Sequence, residues 1–114
     1  MSHPVIHFEV AGKDLDKLEG FYKELFGWQT QRAESMPYSM VEAQDGGIGG
    51  GIGEAPDGQG HVTFYVGTDD VQATLDKAEQ LGGRTILPVT ELPMVTIALF
   101  ADPEGHVVGL AKGM

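Results

Sequence analysis

Cysteine is absent, which excludes disulfides, thiolate metal sites and a cysteine nucleophile and fits a reducing compartment. Lysine and arginine are scarce: 7 stand against 17 aspartates and glutamates, for a formal net charge of −10. The few cations are scattered through both halves of the chain and form no basic stripe. Nucleic acid and anionic membranes draw their affinity from clustered cations, so neither is expected as a partner. A cationic or neutral small ligand suits the field better, although acidity on this scale also serves solubility alone. No segment approaches the ~18 consecutive apolar residues of a membrane span. The opening Met-Ser-His-Pro-Val lacks the basic and apolar regions of a secretion signal, so a cytoplasmic location is expected. The Gly-rich run at 46–53 is followed by no Gly-Lys-Ser/Thr, which excludes a phosphate loop. No Ser-His-Asp arrangement is supported by spacing.

What the chain does contain is a repeat. His7, Gly27, Asp45 and Gly51 are answered by His61, Gly82, Asp102 and Gly109, at offsets of 54, 55, 57 and 58 residues. Residues 5–11 alternate, with Ile6, Phe8 and Val10 on one side and His7 and Glu9 on the other, and residues 61–66 repeat the device. An Asp cap follows each strand, Asp14 in the first copy and Asp69 or Asp70 in the second. Each cap opens a run of helical period: Leu15, Leu18, Tyr22 and Leu25, then Val71, Leu75, Ala78 and Leu81. Gly27 and Gly82-Gly83 stop the helices. Three strand-like stretches come next in each copy, at 28–33, 38–44 and 47–53, then at 84–89, 95–100 and 106–112. The turns Asp45-Gly46 and Asp102-Pro103-Glu104-Gly105 close the last hairpins. The chain therefore reads as one α+β domain over 1–114, made of module one (4–53), a hinge (54–60) and module two (61–112), since about fifty residues make a poor core alone.

Strand parity sorts the candidate residues. If Ile6, Phe8, Val10, Val62, Phe64 and Val66 pack beneath the helices with Ile48, Ile52, Val108 and Leu110, the other face carries His7, Glu9, His61, Thr63 and Tyr65. Gly49, Gly51, Val107 and Gly109 share that second face. His7, Glu9 and His61 are the candidate catalytic groups. Thr63 and Tyr65 offer hydroxyls to a ligand, while Gly49, Gly51 and Gly109 remove bulk where a ligand approaches or where a strand bulges. Glu9 follows His7 by two residues, so the two project on the same side about 7 Å apart. Three readings stand: histidines satisfied by hydrogen bonds on a partly solvated sheet, a metal-free pocket for binding or acid-base work, and a metal site. A catalytic divalent ion wants at least three protein ligands. Two imidazoles hold one weakly unless Glu9 or Glu42 joins them. His3 and His106 read as exposed and inert, and Trp28 as a cap on the core. Met36, Met40 and Met94 read as core gap-fillers or an adaptable apolar wall.

The doubled β-α-β-β-β pattern, Phe-Tyr-Lys-Glu-Leu-Phe-Gly-Trp (21–28), Gly-His-Val (60–62) and Asp-Pro-Glu-Gly-His-Val-Val-Gly-Leu (102–110) resemble the vicinal oxygen chelate superfamily. That group includes glyoxalase I, extradiol dioxygenases, fosfomycin-resistance enzymes and bleomycin-resistance proteins. Ile-Gly-Gly-Gly-Ile (48–52) and Phe-Ala-Asp-Pro-Glu-Gly (100–105) are similar to the branch related to lactoylglutathione lyase. The resemblance implies two tandem modules whose strands form a cup-shaped sheet with helices outside, in a homodimer whose cup closes within one chain or across two. It also implies metal ligands on the first and last strand of each module. His7 and His61 match the first-strand positions, but Gly51 and Gly109 stand at the last-strand ones and have no side chain to offer. The expected function is a glyoxalase-related lyase or isomerase acting on a small molecule without the full metal site and without a cofactor. The alternatives are a non-catalytic drug- or metabolite-binding protein of the bleomycin-resistance kind, and a divalent-metal enzyme using His7 and His61.

Overall fold

The computed structural model describes residues 2–55 and 58–113, so Pro56 and Asp57 of the hinge lie outside the described residues. Ten elements follow one another: β1 (Val5–Gly12), α1 (Leu15–Phe26), β2 (Thr30–Arg32), β3 (Tyr38–Val41), β4 (Gly50–Glu54), β5 (His61–Gly67), α2 (Val71–Gln80), β6 (Arg84–Glu91), β7 (Thr96–Ala101) and β8 (Val107–Lys112). This is the β-α-β-β-β pattern twice over, an α+β chain as the periodicity predicts. Among the described residues no helix is long and apolar enough to cross a membrane.

Local chemistry sets the boundaries. Asp14 caps α1 by accepting from the Lys17 N–H at 3.1 Å, and Asp70, not Asp69, caps α2 through the Ala73 N–H at 3.0 Å. Gly27 ends α1 in the left-handed region (φ 72°), where its N–H reaches the Lys23 carbonyl. Asp45 and Gly46 both adopt positive φ, 48° and 83°, the conformation that an Asp-Gly pair favours. At the matching turn the Asp102 carboxylate accepts from the N–H groups of His106 and Glu104, which holds its pKa below the ordinary value. His106, expected to be inert, also bonds Asp102 through Nδ1 at 3.0 Å.

The chain divides into two compact units, one of His7–Val62, the other of Met1–Ile6 with Thr63–Met114. In the first the strand order is β2-β3-β4-β1, with β1 and β4 parallel; in the second it is β5-β8-β7-β6, with β5 and β8 parallel. Leu15, Val41 and Ile52 form the first core, with Phe8, Leu18, Tyr22 and Trp28 packed on it. Val71, Leu75, Ala98 and Leu110 form the second, joined by Val66, Val89 and Phe100. The helical stripes are shorter than their periodicity implies: Leu25 and Leu81, in or just past the last turns, are 58% and 71% exposed. Val62, Phe64 and Ile48 are likewise exposed rather than packed under the helices, and so are Met36, Met40 and Met94.

Sheet register corrects the repeat alignment. Glu9 lies opposite Gly51, and Tyr65 lies opposite Gly109. Because those two glycines answer each other, Tyr65 answers Glu9, Thr63 answers His7, and His61 answers Val5. The two histidines are therefore two residues out of step, a slip that preserves the strand face and so is invisible to alternation.

Candidate functional site

The first unit gathers a hydrogen-bonded row of four side chains. His7 and Glu9 project from the same face of β1, His61 opens β5, and Tyr38 opens β3. The His7 Nε2 lies 2.8 Å from the Tyr38 hydroxyl, the hydroxyl lies 3.0 Å from Glu9 Oε1, and Glu9 Oε2 lies 2.7 Å from His61 Nε2. A carboxylate only accepts, so the single Tyr38 hydrogen goes to Glu9, and the Nε2–H groups of His7 and His61 donate to Tyr38 and Glu9 respectively. Every proton in the row points toward Glu9. His7 is buried, the Glu9 side chain is 15% exposed and that of His61 is 45% exposed, so the row runs from the interior to solvent. Burial lowers the His7 pKa below the ordinary 6.5, against the pull of the Glu9 charge, which raises it. His7 is thus a neutral donor near pH 7.

Tyr38 is the member that spacing within one strand does not reveal, being 31 residues from His7 and 29 from Glu9. Alternation through β3 carried the signal, since Val41 and Ser39 are buried and Tyr38 must therefore share the opposite face with Glu9. Tyr38 also explains Gly51. A Cβ built at Gly51 would fall 1.9 Å from the Tyr38 hydroxyl oxygen, so this glycine makes room for the chain's own phenol. At Gly109 the same space is taken by the buried Tyr65 ring, 2.3 Å from such a Cβ. Gly49 precedes β4, and its Cβ direction meets the Val41 carbonyl at 3.1 Å. Bulk is therefore absent at these glycines because neighbouring groups of the protein occupy it. Thr63, Tyr65 and Gly109 belong to the other unit, where the Thr63 hydroxyl donates to the Val107 carbonyl at 2.7 Å. Gly51→Ala is expected to swing the Tyr38 ring away and destabilise the fold by about 1–2 kcal/mol. Combined with Tyr38→Ala the loss should be less than additive, as a double-mutant cycle of urea unfolding will read.

These residues do not fit a divalent ion. Among the described residues no group of three His, Asp or Glu side chains is placed to hold one. His7 Nε2 faces a hydroxyl, and a phenol stands where Gly51 offers no ligand.

Comparisons with known proteins bear on family and on fold. The glyoxalase-like domain family matches residues 7–111. A glyoxylase-like domain-containing protein of Didymella fabae is 27% identical over 119 residues, covering 90% of this chain and 91% of that one. A putative glyoxylase of Mycobacterium bovis is 29% identical over 97 residues; the match covers 81% of this chain and only 37% of that protein. Among solved structures, a hypothetical protein from Bacillus halodurans C-125 superposes with a TM-score of 0.71 at 13% identity, covering 100% of this chain and 96% of that one. Methylmalonyl-CoA epimerase in complex with methylmalonyl-CoA and NH4+ gives 0.67 at 21% identity, covering 99% and 96%. At such identities the structures speak for the fold alone.

Proposed function

The chain belongs to the glyoxalase-like domain family, and from that footing we propose that it is a metal-free isomerase that moves a proton on carbon next to a carbonyl in a small molecule. The observation that supports this reading is the Glu9 carboxylate, one oxygen held by the Tyr38 hydroxyl and the other by the His61 imidazole. A base held at both oxygens is oriented before substrate arrives, and positioned acid-base groups contribute about 10²–10⁴ in rate. Glu9 takes the proton from carbon, leaving an enolate, and its return completes the isomerisation. Tyr38 and the neutral His7 behind it keep a donor directed at the carboxylate throughout. A thioester or ketone with an acidic α-hydrogen is the substrate class, in line with the epimerase that shares the fold.

The direct test is hydrogen exchange at carbon. The purified protein in D2O with EDTA is expected to wash deuterium into the α-position of one or more members of a panel of α-branched acyl-CoA thioesters and α-hydroxy ketones, followed by proton NMR. Exchange no faster than buffer with every member, or exchange abolished by EDTA and restored by nickel, zinc or manganese, overturns the reading.

A further inference from the structure

We propose that the second unit has a ligand site of its own on the helix-packed side of its sheet, a cleft under the C-terminal half of α2 that receives a neutral bicyclic aromatic ring of indole size. Internal symmetry shows what has been removed there. Val10 and Ile52 pair as Val66 and Leu110 do, and in the outer strands Thr30 answers Thr85. Trp28, two residues before Thr30, therefore answers Gly83. Counting from the caps Asp14 and Asp70, Tyr22 answers Ala78. In the first unit the Trp28 indole lies 5.3 Å from the Tyr22 ring and nearly parallel to it, with Phe8 at 5.1 Å and Phe26 at 5.3 Å. In the second unit a hydrogen and a methyl group replace the indole and the phenol.

The deletion leaves a cleft of about 420 Å³, lined among others by Val66, Ala78, Leu81, Phe100 and Leu110, with Lys77 and Asp102 also on its wall. That volume falls within the range of small-molecule sites, roughly 300–1,000 Å³. The opening is fixed by backbone and cannot be closed by a simple substitution at Gly83, where a Cβ would sit 2.7 Å from the Ala101 carbonyl oxygen. The ligand chemistry follows from the walls. Val66, Leu81 and Leu110 give apolar walls, Phe100 supplies an aromatic one, and the Lys77 ammonium can face a π-system. Asp102 and the net charge of −10 disfavour an anionic ring.

Indole itself is the probe. Titrated into ¹⁵N-labelled protein, it is expected to give saturable shifts centred on the amides of Lys77, Ala78, Leu81, Phe100 and Leu110. Ala78→Tyr restores the missing phenol and should weaken binding by about tenfold or more, with the remaining spectrum unchanged. Leu81→Glu, at an exposed position, should weaken binding similarly even if Ala78→Tyr fails to fold. The proposal is overturned by shifts that do not saturate or that centre elsewhere, or by equal affinity in the variants that fold. Sedimentation showing a wild-type dimer that Ala78→Tyr breaks also overturns it, because a second copy then fills the cleft. None of these outcomes depends on turnover at Glu9.

Discussion

Glu9→Gln is expected to lower turnover by about 10²- to 10⁴-fold while leaving the fold intact. Glutamine keeps the shape of glutamate, and its amide oxygen can still accept from the Tyr38 hydroxyl, so packing is preserved. What is lost is the capacity to take a proton. The amide nitrogen also confronts the His61 Nε2–H at a spacing of 2.7 Å in the parent, donor against donor, and His61 must change tautomer or move. Tyr38→Phe should give a smaller loss, because the carboxylate survives while one of its two restraints is gone. A second readout needs no substrate. The Glu9 charge raises the His7 pKa against the larger effect of burial, so removing that charge is expected to lower it further, seen as an acid shift in the NMR titration of the His7 ring. The linkage sign follows. A histidine whose folded pKa lies below 6.5 adds stability that is full above that value and is lost as pH falls through the folded pKa, and Glu9→Gln should deepen the loss. Unchanged turnover together with an unchanged His7 titration would sink the assignment of Glu9 as the base.

The fold was largely legible because its signals are local. Asp14 and Gly27 announce α1, Asp45-Gly46 announces its turn, and alternation separates Phe8 and Val10 from His7 and Glu9 without knowledge of partners. Tyr38 was harder, since its bonds to His7 and Glu9 depend on how three separate strands are laid side by side. The glycines misled for a related reason: Gly51 and Gly109 do mark close approach, but by Tyr38 and Tyr65, and a sequence shows the missing Cβ without showing which group fills the space. Identity of residue type pairs His7 with His61 at an offset of 54, whereas the sheet aligns Glu9 with Tyr65 through Gly51 and Gly109. Alternation constrains the face to which a residue belongs; only the hydrogen-bond ladder fixes its row. Helix ends showed the same limit. Leu25 and Leu81 have the right period, yet the cores are built on the earlier turns, on Leu15 and Leu18 and on Val71 and Leu75.

Glu19→Ala is expected to destabilise the protein by about 2–4 kcal/mol, a fall in melting temperature of roughly 10–15 °C for a domain of this size. Glu19 lies on α1 with its side chain 13% exposed, and it ties the helix to the two strands farthest from β1 in its unit. It accepts from the Ser39 hydroxyl at 2.5 Å, the Thr30 hydroxyl at 2.6 Å and Arg32 at 2.7 and 2.9 Å. Ser39 is fully buried, so alanine at 19 strands its hydroxyl, and a buried polar group without a partner is costly. Arg32 matters less: its side chain is 46% exposed and also bonds Asp16, and an exposed pair of this kind is screened by water and contributes little. Arg32→Ala is therefore expected to remove much less stability than Glu19→Ala. Burial opposes ionisation of Glu19, but the donors from Ser39, Thr30 and Arg32 outweigh it and hold the pKa at about 2, against 4.5 for an unperturbed glutamate. With the folded pKa depressed, the contribution is complete above pH 4.5 and declines as pH falls toward 2. Wild type and Glu19→Ala should thus differ most in urea unfolding at neutral pH and converge below about pH 3. A gap that persists unchanged at pH 2.5, or a loss at Arg32→Ala equal to that at Glu19→Ala, would show that the buried hydroxyls are not what this carboxylate holds in place.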